Sequence, residues 1–298
     1  MKICYYPGCT LKATAQNLED AGLAALAVLG IAVEELPRWN CCGAVFSLAT
    51  DDVLHQIAPT RILIRAQEAG AGQLVTLCAQ CYNTLARANL LARTDAEKRE
   101  TLNRFMTEEP DYRGEVEVVH YLQLLRDQLG WNGLAARVRR PLAGLKVAPY
   151  YGCTLLRPAE VNIDAGRAGG PPAILRDFLA ALGATPVDFP LATECCSAYQ
   201  VIGSPAASLA RAQTVVAAAV AAGADALVLS CPLCDHNLGR QQLSFPATNG
   251  GPPRLPVLYF SQLLALALGI DAAGCGLDRN VPGTRALLAE RNLVPVAV

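Results

Sequence analysis

Short apolar runs of β type alternate with longer segments whose apolar residues recur at helical spacing, and the alternation passes through the chain twice. Residues 3–6 read as a strand ending at Pro7-Gly8-Cys9, and the apolar spacing from residue 17 predicts a helix that Gly30 closes. Residues 31–36 predict a second strand, broken by Pro37-Arg38-Trp39-Asn40. Asp51-Asp52 predicts the cap of a helix reaching about residue 69, which Gly70 and Gly72 stop. Residues 73–77 are then an apolar strand, 82–93 a helix, 116–120 a strand and 121–130 a helix. After a linker at 131–144 the series restarts at residues 145–151, and its close at 256–259 and 260–269 matches 116–130. Leu124-Leu125 thus aligns with Leu263-Leu264 at an offset of 139 residues. The pattern predicts an α/β protein of two domains, 1–136 and 137–298. Each is expected to be a Rossmann-like unit with a small, mostly parallel sheet, the two related by a pseudo-twofold axis.

Composition narrows the class. A chain of 298 residues, 52% of them hydrophobic, can build real cores and needs no disulfide staples. Met1-Lys2-Ile3 leads straight into Cys4 with no secretory signal pattern, so a reducing, cytoplasmic compartment is expected. A net charge of −1 argues against a nucleic-acid partner. No apolar run reaches the roughly 18 residues of a membrane span; the richest, 206–222, is interrupted by Arg211 and Gln213, so any membrane association is expected to go through a partner. Eleven of the 21 residues from 93 to 113 are charged, which reads as a solvated helix or, alternatively, a docking surface.

The cysteines carry the chemistry. Ten of twelve fall into two sets, Cys9, Cys41, Cys42, Cys78, Cys81 and Cys153, Cys195, Cys196, Cys231, Cys234, at offsets of 144, 154, 154, 153 and 153. In a reducing compartment such a pattern favours metal or redox chemistry over structural bridges. Each C-x-x-C sits at a strand-to-helix turn, the edge where open α/β sheets bind ligands. Tetrahedral zinc and ordinary iron–sulfur cubanes take four ligands. Five ligands from three separated loops, two of them adjacent, point instead to a large or irregular cluster that presents different irons to each sulfur.

With these residues in view, the chain resembles the duplicated cysteine-rich domain proteins typified by the B subunit of heterodisulfide reductase, from Tyr5-Tyr6-Pro7-Gly8-Cys9-Thr10 to the C-terminal helix. The resemblance implies two noncubane [4Fe-4S] clusters, one on each five-cysteine set. It further implies reductive cleavage, or reverse formation, of a small or protein-bound disulfide lying between the clusters, each sulfur captured transiently by an iron. Electrons would come from a ferredoxin-like iron–sulfur subunit (C-like) fed by a flavoprotein (A-like). The competing readings are an electron-relay subunit of a succinate/fumarate reductase-type or sulfur-oxidising complex, and a zinc protein without redox chemistry.

Several residues bear on this reading. Ser197 replaces the glycine of the second Cys-Cys-Gly, and Thr154 stands where methanogen members of the family commonly have a histidine. Arg157, close after Cys153, is a candidate grip for an anionic substrate tail through its fork of donors, a structural role being the alternative. The segment 165–172 is a flexible excursion that either shapes the substrate site or is an inert insertion. Cys4 and Cys275 lie outside the repeat and read as buried, inert thiols. His120 reads as a satisfied structural histidine, His55 as a helix-surface residue and His236 as a candidate proton donor near the second set.

Overall fold

The two apolar series become two four-stranded, all-parallel sheets in the computed structural model, which describes residues 2–44, 53–165, 170–246, 251–281 and 283–295. The first holds β1 (Ile3–Tyr5), β2 (Glu34–Glu35), β3 (Gln73–Thr76) and β4 (Glu117–His120) in the order β2-β1-β3-β4. The second holds β5 (Lys146–Pro149), β6 (Thr185–Pro186), β7 (Ala226–Leu229) and β8 (Val257–Tyr259) in the matching order β6-β5-β7-β8. The register repeats too: Val75 lies opposite Tyr5 and Val119, and Val228 opposite Pro149 and Leu258. Parallel strands covered on both faces read as continuous apolar runs, and β7 is buried along its whole length. The fold is thus two Rossmann-like α/β units. The strand expected at 31–36 shrinks to Glu34–Glu35, because its exposed glutamates stand at the edge of the sheet, where charge blunts further pairing.

The helices are α1 (Gln16–Leu29), α2 (Ile57–Glu68), α3 (Ala79–Thr94), α4 (Ala96–Phe105), α5 (Tyr121–Ala135), α6 (Ile174–Ala181), α7 (Gln200–Gly203), α8 (Pro205–Ala221), α9 (Pro232–Leu238), α10 (Phe260–Ala267) and α11 (Thr284–Glu290). Asp51-Asp52 lies outside the described residues, as do residues 166–169 of the excursion. His55 sits half-buried in a 3-10 helix, Val53–Gln56, that leads directly into α2. The charged run forms α4, capped by Asp95, whose carboxylate accepts from the Lys98 N–H at 3.0 Å. Leu102 of α4 and Met106 and Tyr112 after it are buried, Glu97, Lys98, Glu100 and Arg104 are exposed, and half-buried Arg99 donates to Ala92 O at 2.8 Å. Residues 131–135, expected in a linker, continue α5 past a non-helical Gly130 (φ 64°) because Leu134 is buried and Trp131 packs edge-on against Phe178 at 6.1 Å.

Two equivalent helix pairs join the halves, α1 against α10 and α5 against α6. All eight residues of α10 are buried, as an all-round apolar helix requires. Phe260 at its start meets Tyr121 at 5.4 Å, His120 at 5.8 Å and Phe178 at 5.9 Å, so one ring bridges aromatic residues of both halves.

Candidate metal and redox centre

Each cysteine set is assembled at the carboxyl ends of a sheet. The strands β3 and β7 run into Cys78 and Cys231, which are the N-caps of α3 and α9. Cys81 and Cys234 therefore lie inside the first helical turn, one turn earlier than the spacing predicts for α3, since Ala79 and Gln80 are themselves good helix formers. The loops after β1 and β5 bring Cys9 and Cys153. Gly8 and Gly152, both left-handed (φ +75° and +63°), lie against the far sulfur of each set: a Cβ there would stand 3.0 Å from Cys81 Sγ and 3.6 Å from Cys234 Sγ.

The vicinal cysteines divide between neighbours. Cys41 Sγ lies 3.6 Å from Cys9 Sγ, while Cys42 Sγ lies 3.6 Å from Cys81 Sγ. In the second set Cys195 pairs with Cys153, and Cys196 Sγ is 3.4 Å from Cys234 Sγ. Two tyrosines that sequence reasoning passed over hold these loops. Tyr6 Oη donates to the carbonyl of Asn40 at 2.9 Å and Tyr150 Oη to that of Glu194 at 2.6 Å, in each case the residue just before the vicinal pair. Their signal was available, because Tyr6 and Tyr150 are separated by the same 144 residues as Cys9 and Cys153.

Cys9 and Cys41 are exposed, whereas Cys42, Cys78 and Cys81 are buried, so the first set lines a cavity with an open mouth and a deep floor. Its volume is about 250 Å³, and Gln80, Pro232 and Leu233 complete the wall, the last two contributed by the second half. A single water needs roughly 15 Å³, so the space suits a cluster of several atoms better than one ion. Among the described residues no group of three or more ligands has the arrangement of a single-ion site.

Proton sharing follows from the crowding. Hydrogen bonds from Cys41 and Cys81 hold Cys42 well below the usual thiol range, and those from Cys234 and Cys78 do the same for Cys231. Cys195, accepting from Cys153 and Cys196, is pushed down to about 2, while Cys196, donating to Cys195, is pushed up to about 12. The first cavity has no lysine, arginine or histidine among its lining residues. In the same set hydrogen bonding and burial push Cys41, Cys78 and Cys81 up, because further buried negative charge without a cation is costly. A cationic metal cluster supplies the positive charge, so donor set, cavity and electrostatics fit an iron–sulfur group.

The two sets meet. Cys78 and Cys231 lie close enough across the halves to influence each other's ionisation, and Ala79 N, next to Cys78, donates to Ser230 O, next to Cys231, at 3.3 Å. Asn83 Nδ2 donates to the carbonyls of Thr154 (2.9 Å) and Arg157 (2.6 Å), tying the first C-x-x-C helix to the loop of Cys153. Tyr199 Oη donates to Gln80 Oε1 at 2.7 Å. Neither Gln80 nor Tyr199 carries a sequence signal of its own.

Other expected residues fall elsewhere. Arg157 is exposed and lines a separate cavity of about 210 Å³ with Asn162, Asp164 and Thr193. His236 is exposed and lines a third, of about 440 Å³, with Leu209 and Arg240, not the cysteine cavity. His120 is fully buried: Nδ1 accepts from Leu122 N at 3.2 Å, so Nε2 carries the proton and donates to Leu77 O at 3.1 Å. Cys4 and Cys275 are buried, and burial pushes Cys275 up to about 12.

Comparison with known proteins agrees with this duplicated arrangement. The family described as "Cysteine-rich domain" (CCG) matches twice, over residues 3–86 and 147–239. The 8-methylmenaquinol:fumarate reductase membrane anchor subunit of Wolinella succinogenes is 32% identical, covering 94% of this chain and 96% of that protein. The B subunit of the ferredoxin/F(420)H(2)-dependent CoB-CoM heterodisulfide reductase of Methanosarcina acetivorans is 31% identical, over 94% of this chain and 93% of its own. The B subunit of the ferredoxin:CoB-CoM heterodisulfide reductase of Methanosarcina mazei is 30% identical, over 97% and 96%. A crystal structure of a hypothetical protein from Helicobacter pylori shares the fold with a TM-score of 0.73 at 15% identity; the match covers 94% of this chain but about half, 51%, of that one. Matched in both halves and related over nearly its whole length, the chain belongs to the duplicated cysteine-rich (CCG) domain family that includes the B subunits of heterodisulfide reductases.

Proposed function

We propose that this chain is the thiol–disulfide-converting subunit of an electron-transfer complex, built from domains 1–136 and 137–298. Cys9, Cys41, Cys42, Cys78 and Cys81 hold one noncubane [4Fe-4S] cluster, and Cys153, Cys195, Cys196, Cys231 and Cys234 hold the other. The observation that supports the reading is that the two C-x-x-C turns adjoin across the halves, Ala79 N bonding Ser230 O while Pro232 and Leu233 wall the first cysteine cavity, and that Cys9 and Cys41 stay open to solvent. When bound, the clusters supply single electrons to a disulfide bond.

The rest is done by side chains of the chain itself. Tyr6 and Tyr150 hold the vicinal-cysteine loops, and Gly8 and Gly152 leave room for the sulfurs of Cys81 and Cys234. Pro232 and Leu233 put an apolar wall beside the first set, which lowers the local dielectric and strengthens electrostatic interactions there. Arg157, in the neighbouring cavity, grips an anionic tail of the substrate. The chain carries no further ferredoxin-type cysteine run, so electrons come from a ferredoxin-like (C-like) subunit and a flavoprotein (A-like). Among the described residues no helix is long and apolar enough to cross a membrane, and the proposed site of action is the cytoplasm, with any membrane attachment through a partner.

The Wolinella relative, named as a subunit of a methylmenaquinol:fumarate reductase, favours a second reading in which the chain relays electrons from a quinol. Anaerobic titration separates the two. The disulfide reading expects brown protein with about eight irons per chain and paramagnetic spectra that change when lipoamide, a CoM–CoB-type mixed disulfide or a persulfide is added. Spectra indifferent to every disulfide but bleached by a menaquinone analogue select the relay, and a colourless zinc protein rejects both.

A further inference from the structure

Tyr199 belongs to neither cysteine set, yet it reaches from one to the other. It follows the left-handed turn at Ser197 (φ 65°) on the second half, and its hydroxyl meets Gln80, which stands between Cys78 and Cys81 in the wall of the first cavity. Tyr199 is 38% exposed, so it is not sealed beneath other side chains. A phenol is protonated at neutral pH, so the hydroxyl is available as a donor. At the repeat offset of 153–154 the first half has Val45 and Phe46, so the repeat places no second phenol there.

We propose that Tyr199 is a catalytic hydrogen-bond donor to the thiolate released when a disulfide is cleaved, with Gln80 as the positioning residue that holds the phenol in place. The proposal rests on the disulfide-cleaving reading above. In that reaction R–S–S–R′ takes up two electrons, delivered singly by an iron–sulfur donor protein; the S–S bond breaks, two thiolates form, and two protons from water neutralise them on release. Negative charge appears on sulfur only as the bond breaks. A donor aimed there stabilises the transition state more than the bound disulfide and raises kcat without changing KM. In the resting chain the Tyr199 O–H is engaged by Gln80 Oε1; rotation about the C–O bond redirects it, and a flip of the Gln80 amide lets Nε2 donate to the phenol oxygen in return.

The test uses the cluster-loaded full chain with reduced methyl viologen as electron source and bis(2-hydroxyethyl) disulfide, lipoamide and oxidised glutathione as probes. For Tyr199→Phe, kcat is expected to fall tenfold or more with KM unchanged, while iron content, paramagnetic spectra and melting temperature stay those of the wild type. Product inhibition by 2-mercaptoethanol, which reports thiolate binding directly, is expected to weaken about tenfold. Gln80→Met is expected to give a smaller fall of the same kind. A Tyr199→Phe enzyme within twofold of wild type overturns the inference, as does a loss that follows KM, iron content or melting temperature, which marks a purely structural clasp. A wild type inert towards these three and towards a CoM–CoB-type mixed disulfide and a persulfide overturns the disulfide reading and this inference with it, whereas an active wild type matched by Tyr199→Phe overturns the inference alone.

Discussion

Ser197 takes up the left-handed backbone that its counterpart Gly43 adopts, with φ of 65° against 73°. A Cβ on Gly43 would meet only Ala58 at 3.4 Å, an ordinary contact, so glycine serves there for its conformation and not for close approach. A non-glycine residue in this region carries roughly 1–2 kcal/mol of strain. Ser197→Gly is therefore expected to stabilise the fold by about 1 kcal/mol, after the greater unfolded-state entropy of glycine offsets part of the gain, and a raised denaturation midpoint would register it. His120 sets a pH dependence. Burial pushes it down to about 3 from an ordinary value of 6.5. Between those values the unfolded chain binds a proton that the folded chain refuses, so this contribution is intact above pH 6.5 and is lost as pH falls toward 3, by up to about 1.4 kcal/mol per unit. His120→Gln should flatten that part of the stability–pH curve measured by urea unfolding; an unchanged slope would mean that His120 is protonated in the fold.

Helices tie the halves together more than strands do, since each sheet is confined to one half. The pairs α1–α10 and α5–α6 each set the first helix of one half against the helix that follows the last strand of the other, as a pseudo-twofold axis demands. Ser261 Oγ donates to Leu18 O at 2.8 Å along the first pair. Phe260 is fully buried and touches rings from both halves, so Phe260→Ala is expected to destabilise the chain by about 3–5 kcal/mol and to split one unfolding transition into two. A single transition with a small shift would show that the halves are held mainly at the C-x-x-C turns.

At the scale of the whole molecule, the proposed function expects the two cysteine sets to be distinct in assembly and joint in use. Metal binding couples to local folding, so Cys41→Ala is expected to remove the paramagnetic signal of the first cluster and Cys195→Ala that of the second, each leaving much of the other. Both variants should nevertheless abolish disulfide turnover if, as proposed, the substrate lies between the two halves. Retention of the full spectrum in both would show that the ligand sets are misassigned, and turnover surviving in either would favour a relay in which one cluster suffices.

The repeated cysteines, the strand–helix alternation and the place of each C-x-x-C at a strand end were legible in the chain because they depend on spacing within a few tens of residues. Local propensity and the geometry of parallel sheets then put those cysteines on one edge. Even the split of Cys41 towards Cys9 and Cys42 towards Cys81 follows from successive side chains pointing apart. Docking of the halves decided the rest. It joined Tyr199 to Gln80 across 119 residues and brought Pro232 and Leu233 into the first cavity, while the loops of the second half itself left Arg157 and His236 lining other cavities although both lie close in sequence to cysteines. Which side chains meet across such a junction depends on the relative orientation of two separately folded units, set by the burial of α10 and its aromatic neighbours, and proximity along the chain carries no record of that orientation.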